Sequence, residues 1–228
     1  MSMLNDPKLE ALIDALQAKS KAQEPLSGEY FGAQAASGRT DWSMSASDHA
    51  FFADKLVALE PAKAEFCYAL CRAIGARRIV ELGTSFGVST LYLAAAVRDN
   101  CRDGGGGVVI GVEHEPGKVA AARVNFAEAG LSDWIDLREG DLRETLKDLA
   151  GPIDFALFDI WTPMALPALE LIAPHLRVGS VLCADNTAQP RTRAGYADYF
   201  AFLADPANGL RTQTLPFEGG FEFTVKVS

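Results

Sequence analysis

The sequence is poor in the residues that mark several common classes of protein. Only 4 cysteines and 3 histidines occur among 228 residues, and the cysteines lack partners at the spacing of a zinc finger. Lysine plus arginine (21) falls short of aspartate plus glutamate (30), so there is no basic footprint for nucleic acid. No run approaches the ~20 apolar residues of a membrane helix. Residues 1–10 have no apolar signal core, and we expect a cytoplasmic protein.

The composition that remains is that of a globular protein, and the order of its segments predicts the fold class. Hydrophobic residues make up 49% and charged residues 22%, both ordinary values. From Arg78 onward, short apolar segments alternate with helical ones, which indicates an α/β protein with a mainly parallel sheet covered on both faces. The predicted strands are RRIVELG, VVIGVEH, WIDLREGD, IDFALFDIW and SVLCADN, followed by two more near 210–216 and 221–227.

The segment before this pattern has a different character. Residues 7–23 place leucine and isoleucine on one helical stripe, whereas residues 25–47 are rich in Ser, Gly and Ala with scattered aromatics and predict an irregular arm. A second helix is expected after Ser47, and a third over 61–74. We therefore divide the chain into an N-terminal helix and cover arm, residues 1–54, and a main domain, residues 55–228.

Polar side chains collect at the carboxyl ends of the predicted strands, where ligands bind in open α/β sheets. The first strand ends in Glu81 and runs into a turn with glycines at Gly83 and Gly87. These glycines let the backbone pass close to a ligand, although the turn is not the dinucleotide fingerprint G-x-G-x-x-G. A carboxylate at the end of a buried strand is costly without a partner, and an ammonium group is one natural partner for Glu81.

The next two strand ends carry Glu113 and Asp141. Glu113 could accept both hydroxyls of a ribose, or it could be a solvated loop carboxylate. Asp141 could cap the helix that follows, accept a hydrogen bond from an adenine amino group, or do both.

The sharpest constellation lies at the ends of the fourth and fifth strands. Asp159 ends one of them, and Asp185 and Asn186 end the other. Two carboxylates and an amide oxygen are hard ligands that suit Mg²⁺ or a similar ion, and zinc is less favoured because no Cys or His joins them. The alternative is a pair of carboxylates held by helix N-termini.

Taken in order, the segments IVELGTSFGVST, VIGVEHEP, EGDLRETL, FALFDIW and VLCADN resemble the cation-dependent S-adenosylmethionine O-methyltransferases of the catechol and caffeoyl-CoA type, with their bacterial relatives. The resemblance covers roughly residues 55–228. It implies a doubly wound, Rossmann-like sheet of seven strands, the last antiparallel, with helices on both faces. It also implies that Asp159, Asp185 and Asn186 bind a divalent cation, most simply Mg²⁺.

The resemblance further implies a set of cofactor-binding residues. The amino-acid part of S-adenosylmethionine would lie against the first strand end, the ribose on Glu113 and the adenine edge at Asp141, with Trp161 packing on the cofactor. The full set is Leu59, Glu81, Gly83, Thr84, Ser85, Gly87, Ser89, Glu113, Asp141 and Trp161.

One departure from the family pattern concerns the general base. Catechol-methylating members carry a lysine directly after the motif tryptophan, but this chain has Thr162 there, and a threonine hydroxyl does not accept a proton at neutral pH. His49 in the cover region is a candidate base, and a solvated surface histidine is the alternative interpretation.

The function expected from the sequence is metal-assisted transfer of a methyl group to a hydroxyl of a small, aromatic acceptor. Asp159 would act through the metal, which lowers the pKa of the acceptor hydroxyl. A non-catalytic S-adenosylmethionine-binding module and a nicotinamide-dependent oxidoreductase are the alternatives. The apolar, aromatic arm also favours a homodimer, since two-fold dimers are the commonest oligomers.

Overall fold

A single sheet organises the molecule. The computed structural model describes residues 3–42, 44–190 and 192–228. Within them, seven strands form a sheet of order β3-β2-β1-β4-β5-β7-β6, in which β7 runs antiparallel to its neighbours β5 and β6. The strands are β1 Arg78–Leu82, β2 Val108–Glu113, β3 Ile135–Glu139, β4 Ile153–Phe158, β5 Leu176–Asp185, β6 Leu210–Leu215 and β7 Phe221–Lys226. The expected doubly wound α/β fold, with its antiparallel last strand, is confirmed.

Helices cover both faces of the sheet. In the described part of the chain the α-helices are α1 Pro7–Ala36, α2 Ala46–Phe52, α3 Pro61–Ala73, α4 Val88–Asn100, α5 Pro116–Ala129, α6 Leu142–Thr145, α7 Ala165–Ile172 and α8 Ala197–Ala204. Helices α1, α3, α4 and α5 share one apolar core with the sheet, and α6, α7 and α8 share a second. The helix expected over LRETLKDL is only four residues long.

The alternation of side chains along the strands explains why both faces are buried. On β1, Ile79 packs into the first core and Val80 into the second, and both are fully buried. Successive side chains of a strand point to opposite faces, so a strand that is apolar at every position needs helices on each side. The continuous apolar runs in the sequence are thus accounted for.

The N-terminal region differs from the expectation. The prediction that residues 25–47 form an irregular arm was wrong for residues 25–36, because α1 continues through Pro25 to Ala36. Proline in a helix interior removes one hydrogen bond, but packing compensates for this local cost. Tyr30 stacks on Phe51 with ring centroids 4.0 Å apart, and Phe31 lies 5.6 Å from Phe52.

A buried carboxylate joins this extension of α1 to α2. Asp48 is fully buried and accepts hydrogen bonds from Tyr30 (2.9 Å), from Arg39 (2.7 and 2.8 Å) and from the hydroxyl and amide of Ser45 (2.7 and 2.8 Å). The Arg39 guanidinium, with the other donors, holds the pKa of Asp48 well below its usual range. Ser45 and Asp48 form a capping box at the start of α2. We call residues 37–54 the cover; Asp48 sets the position of its helix.

The first part of α1 belongs to the main core. Leu9, Ile13 and Leu16 are buried in the same cluster as α3, α4 and the sheet. The division of the chain at residues 54 and 55 stays a prediction. None of the described helices combines the length and the apolarity that crossing a membrane requires.

We predict that Asp48→Asn destabilises the protein by ~1–3 kcal/mol, because hydrogen bonds to a charged, buried group are lost. Folding lowers the pKa of Asp48, so its contribution is complete above about pH 4, the value of an unfolded aspartate. It is lost as the pH falls through the folded value. Urea unfolding at pH 7 measures the effect. Asp14→Asn, on the exposed side of α1, is the matched control, and equal stability of the two variants would contradict the prediction.

Candidate active site

The candidate site lies where the carboxyl ends of β1 and β4 meet, at the point where the strand order reverses. Here the backbone of Gly83 has φ +94°, and a Cβ at this position would lie 2.1 Å from the carbonyl oxygen of Asp159. No side chain fits this space. The loop then turns into α4 through Ser85 and Gly87, both with positive φ. The glycine turn therefore passes close to the backbone of Asp159, beside a crevice, and its predicted approach to a ligand stays a prediction.

Glu81 is the second-last residue of β1, just before this turn, and is fully buried. Its Oε2 accepts hydrogen bonds from Thr84 (3.0 Å) and from Thr90. Its Oε1 is buried without a partner in the described chain. Burial raises the pKa of Glu81, and the hydroxyls of Thr90, Ser89 and Thr84 oppose that shift. A buried carboxylate oxygen without a donor is costly, so an ammonium group that donates to Oε1 would be favoured here.

Glu113 and Asp141 differ in how they are held. Glu113 is 7% exposed and accepts hydrogen bonds from three backbone amides, those of Ser85 (2.8 Å), His114 (2.8 Å) and Glu115 (2.9 Å). A carboxylate has about four acceptor positions, so one remains, on the Oε2 side. Asp141 caps α6 by accepting from the Arg143 amide at 2.8 Å. Hydrogen bonds from Arg143 lower the pKa of Asp141 to about 2.

The crevice has two connected halves. One half, of about 360 Å³, is lined by Glu113, Asp141, His49 and Trp161. The other, of about 310 Å³, is lined by Asp159, Asp185 and Asn186 and shares Gly83, Glu113 and Trp161 with the first. Five of the ten predicted cofactor residues line this crevice together with the three predicted metal ligands; the five are Gly83, Ser85, Glu113, Asp141 and Trp161.

His49 lies at one end of this crevice. Its ring centroid is 5.9 Å from that of His114, beside Glu113, and it lines the first half rather than the half with Asp159. Its assignment as general base stays a prediction.

Leu59 and Ser89 lie at the rear of the crevice. Leu59, Thr84, Ser85 and Ser89 line a small cavity together with Asp159. The Leu59 carbonyl oxygen already accepts a hydrogen bond from Gln17 of α1 at 2.9 Å. The hydroxyl of Ser85 is buried without a partner in the described residues. This hydroxyl is therefore, like Glu81 Oε1, a polar atom that a ligand could satisfy.

The predicted metal ligands meet, but a lysine lies against them. Lys63, from α3, is 3% exposed and donates a hydrogen bond to Asp185 Oδ1 at 2.6 Å. Asp185 also accepts from the backbone amide of Asn186 at 2.8 Å and from its side-chain nitrogen at 2.9 Å. In the described chain, His, Cys, Asp and Glu side chains nowhere form a group of three that could hold a metal ion.

The two carboxylates differ in how strongly their neighbours oppose a negative charge. Burial and the neighbouring Asp185 raise the pKa of Asp159 well above its usual value. Burial also raises the pKa of Asp185, but the hydrogen bond from Lys63 opposes that shift. Asp185 is thus the carboxylate that holds its charge more easily, because the ammonium group faces it.

A second lysine, on α5, also faces the crevice. Lys118 is 9% exposed and lines the half that contains Asp159. Within residues 3–42, 44–190 and 192–228 it makes no hydrogen bond and no ion pair. Burial lowers the pKa of Lys118, while the charges of Glu113, Glu115 and Asp159 oppose that shift.

Neither lysine was singled out from the sequence. Each has a weak signal that sequence reasoning could have used: Lys63 interrupts the apolar stripe of α3, and Lys118 lies in the first turn of α5, where an acidic residue would be more favourable.

Comparison with known proteins agrees with this geometry. A family model described as a methyltransferase domain matches residues 80–187. Catechol O-methyltransferase of Mycobacterium tuberculosis is 32% identical over 131 residues, 57% of this chain and 57% of that protein. A protein named putative O-methyltransferase, of Mycolicibacterium smegmatis, is 35% identical over 143 residues, 62% of this chain and 65% of the relative. The matches span less than two thirds of either relative's length.

A solved structure adds evidence for the fold. The O-methyltransferase from Bacillus cereus, in complex with SAH (S-adenosylhomocysteine), superimposes with a TM-score of 0.65 at 25% identity and covers 74% of this chain and 82% of that one. The resemblance drawn from the sequence motifs is confirmed by these matches. Residues 80–187 match a methyltransferase domain, and the chain is similar to the catechol O-methyltransferases and to an O-methyltransferase of known structure.

Proposed function

We propose that the protein is an S-adenosylmethionine-dependent O-methyltransferase acting on a small aromatic acceptor. The observation that carries the proposal is the Oε1 of Glu81, which is buried without a partner in the described chain, just before the Gly83–Gly87 turn and within the segment that matches a methyltransferase domain. The ammonium group of S-adenosylmethionine has the charge and the donors that this oxygen lacks. The structural neighbour from Bacillus cereus is described in complex with SAH, which supports the same ligand here.

The remaining residues of the crevice fit the rest of that cofactor. Glu113 would accept a ribose hydroxyl at its free position. Asp141 would accept from the adenine amino group, and Trp161 would pack on the cofactor. The Gly83–Gly87 turn leaves room for the methionine portion. When bound, S-adenosylmethionine supplies a methyl group that is already activated, so the protein's task is chiefly positioning.

The cover and the end of α1 support an aromatic acceptor. Phe31, Trp42 and Met44 line the half of the crevice that contains Asp159. Flat apolar side chains over a cavity with a polar floor favour a ring that carries a hydroxyl group.

Lys118 is the side chain that we propose for receiving the hydroxyl proton. Its neutral amine would take the proton from the acceptor hydroxyl and become an ammonium group. The oxygen would take the methyl group as the carbon–sulfur bond of the sulfonium breaks, leaving the thioether S-adenosylhomocysteine. Thr162 lines the same half of the crevice but offers no basic atom. His49 stays the alternative predicted from the sequence.

Two of the three residues expected to bind a divalent cation, Asp185 and Asn186, are already engaged by other groups. Asp159, Asp185 and Asn186 provide oxygen atoms, but Asp185 is already paired with Lys63 and with the nitrogen atoms of Asn186. The donor set as arranged does not fit a divalent ion, and we derive no step through one.

We predict that Glu81→Gln and Glu113→Ala each weaken binding of S-adenosylhomocysteine by ~1–3 kcal/mol, the cost of lost hydrogen bonds to charged groups. This is roughly a 5- to 150-fold rise in Kd. Isothermal titration calorimetry measures it, with Glu128→Gln on the exposed side of α5 as the matched control. Unchanged affinity in both crevice variants would remove the basis of the proposal.

We predict that the rate of methyl transfer rises with pH through the lowered pKa of Lys118, because only the neutral amine accepts a proton. Lys118→Met and Lys118→Arg should both lose this rise, the second because a guanidinium group does not deprotonate. Initial rates from pH 6 to 10 with a set of catechols and phenols test this. The matched control is Lys147→Met, at an exposed lysine. An unaltered profile in Lys118→Arg would show that Lys118 is not the base.

Two other functions had been left open by the sequence. The nicotinamide-dependent oxidoreductase is not favoured, since the matched family and relatives are methyltransferases. Turnover in the same phenol screen distinguishes an enzyme from a non-catalytic module that only binds S-adenosylmethionine.

The assembly and the cytoplasmic location stay predictions. We propose a homodimer in which the exposed residues of α1 beyond Pro25 meet a second copy. Light scattering at micromolar concentration should give twice the mass of the 24.4 kDa chain. A monomer mass would contradict this.

A further inference from the structure

We infer that the ammonium group of Lys63 is the resident cation of the acidic site at Asp159 and Asp185, and that this site works without a divalent metal ion. The inference rests on the proposed function only for its turnover readout. The binding measurements below stand apart from it.

The position of Lys63 is determined by contacts on several sides. Its Nζ donates to Asp185 Oδ1 at 2.6 Å and to the carbonyl oxygen of Glu218 at 2.6 Å. The ring of Phe221 lies 5.9 Å from the same nitrogen. With 3% of the residue exposed, the ammonium group has little access to water, so its charge is compensated chiefly by Asp185.

The acceptor positions of Asp185 are largely used. Oδ1 accepts from Lys63 and from the backbone amide of Asn186, and Oδ2 accepts from the side-chain nitrogen of Asn186. A carboxylate offers about four positions in total. A metal ion would have to displace one of these donors to approach Asp185.

The side-chain amide of Asn186 is not oriented to act as a metal ligand. Its side-chain nitrogen faces Asp185, and its Oδ1 accepts a hydrogen bond from Gln189 at 3.1 Å. A divalent ion near Asp185 would therefore meet an amide nitrogen, which offers it no lone pair. Mg²⁺ demands near-ideal octahedral oxygen coordination, and this arrangement does not supply it.

Charge completes the argument. Two carboxylates and one ammonium group leave at most one negative charge at the site, whereas a metal site of this kind uses its full negative charge to hold a doubly positive ion. An internal lysine also repels such an ion. Lys63 thus stabilises the negative charge of Asp185 in place of a metal ion. Because no metal ion lowers the pKa of the acceptor hydroxyl, this hydroxyl must give its proton to a side chain.

The test is a titration of metal-stripped protein with Mn²⁺, followed by the electron paramagnetic resonance signal of the free ion. We expect wild type with S-adenosylhomocysteine bound to leave the signal unchanged at concentrations up to 1 mM, on the order of the weak limit for protein cation sites. Its melting temperature and its turnover should be equal with Mg²⁺ and with excess chelator. Binding of one equivalent of Mn²⁺ by wild type, lost in Asp159→Asn, would overturn the inference.

The variant Lys63→Met tests whether the ammonium group of Lys63 prevents binding of the metal ion. This variant keeps the length of the side chain and removes the charge. We expect it to gain Mn²⁺ binding by at least tenfold over Lys147→Met, its control at an exposed lysine. A folded Lys63→Met that gains no Mn²⁺ binding would contradict the inference, and if the variant does not fold, the wild-type titration decides alone. A protein that neither binds S-adenosylhomocysteine nor turns over would refute the proposed function, while the titration would still decide the nature of the cation.

Discussion

The contact between two strand ends, at Gly83 and Asp159, is the constraint on which the site depends. The amide of Asp159 donates to the carbonyl oxygen of Leu82 at 2.9 Å, and the backbone of β4 passes so close to Gly83 that no Cβ fits. The distance between two paired strands cannot increase at one residue without breaking the neighbouring hydrogen bonds. This spacing therefore holds the glycine turn directly beside Asp159. This close approach of the two strand ends determines the position of the crevice and of the acidic pair. It also places the Glu81 oxygen that lacks a partner in the described chain nearby.

The buried carboxylates created by this geometry are compensated by groups from loops and from helices. Glu81, Glu113 and Asp185 are almost fully buried at one edge of the sheet. Backbone amides satisfy Glu113, hydroxyl groups satisfy half of Glu81, and Lys63 of α3 satisfies Asp185. Lys118 of α5 brings a fourth kind of group, an amine without a fixed partner. The site thus combines one carboxylate with a single free acceptor position, one paired carboxylate, and polar atoms that lack partners in the described chain. The free position and the unpartnered atoms are the ones that mark ligand positions.

The sequence was sufficient for the sheet and for the edge where the site lies. Apolar runs such as RRIVELG specify buried strands because a strand apolar at every position has few alternatives, and parallel strands bring their carboxyl ends together. The sequence did not allow the helical conformation of residues 25–36 to be predicted, because this part of α1 depends on stacking of Tyr30 against a side chain twenty-one positions away. The partner of Asp185 was beyond it as well. Local pattern shows that three oxygen-bearing residues converge, but it carries no information on which side chain from a distant helix neutralises them.

The hydrogen bonds of Lys63 also bear on the order in which the chain can become functional. Its two acceptors lie 122 and 155 residues further along the sequence, and the second belongs to the turn between β6 and β7. During synthesis, α3 and the glycine turn leave the ribosome long before that turn exists. Asp185 is therefore made before the C-terminal hairpin, and the hydrogen bonds of Lys63 are completed only when that hairpin docks. A chain that lacks the turn between β6 and β7 keeps the charged partner of Lys63, Asp185, but loses its second acceptor, the carbonyl oxygen of Glu218.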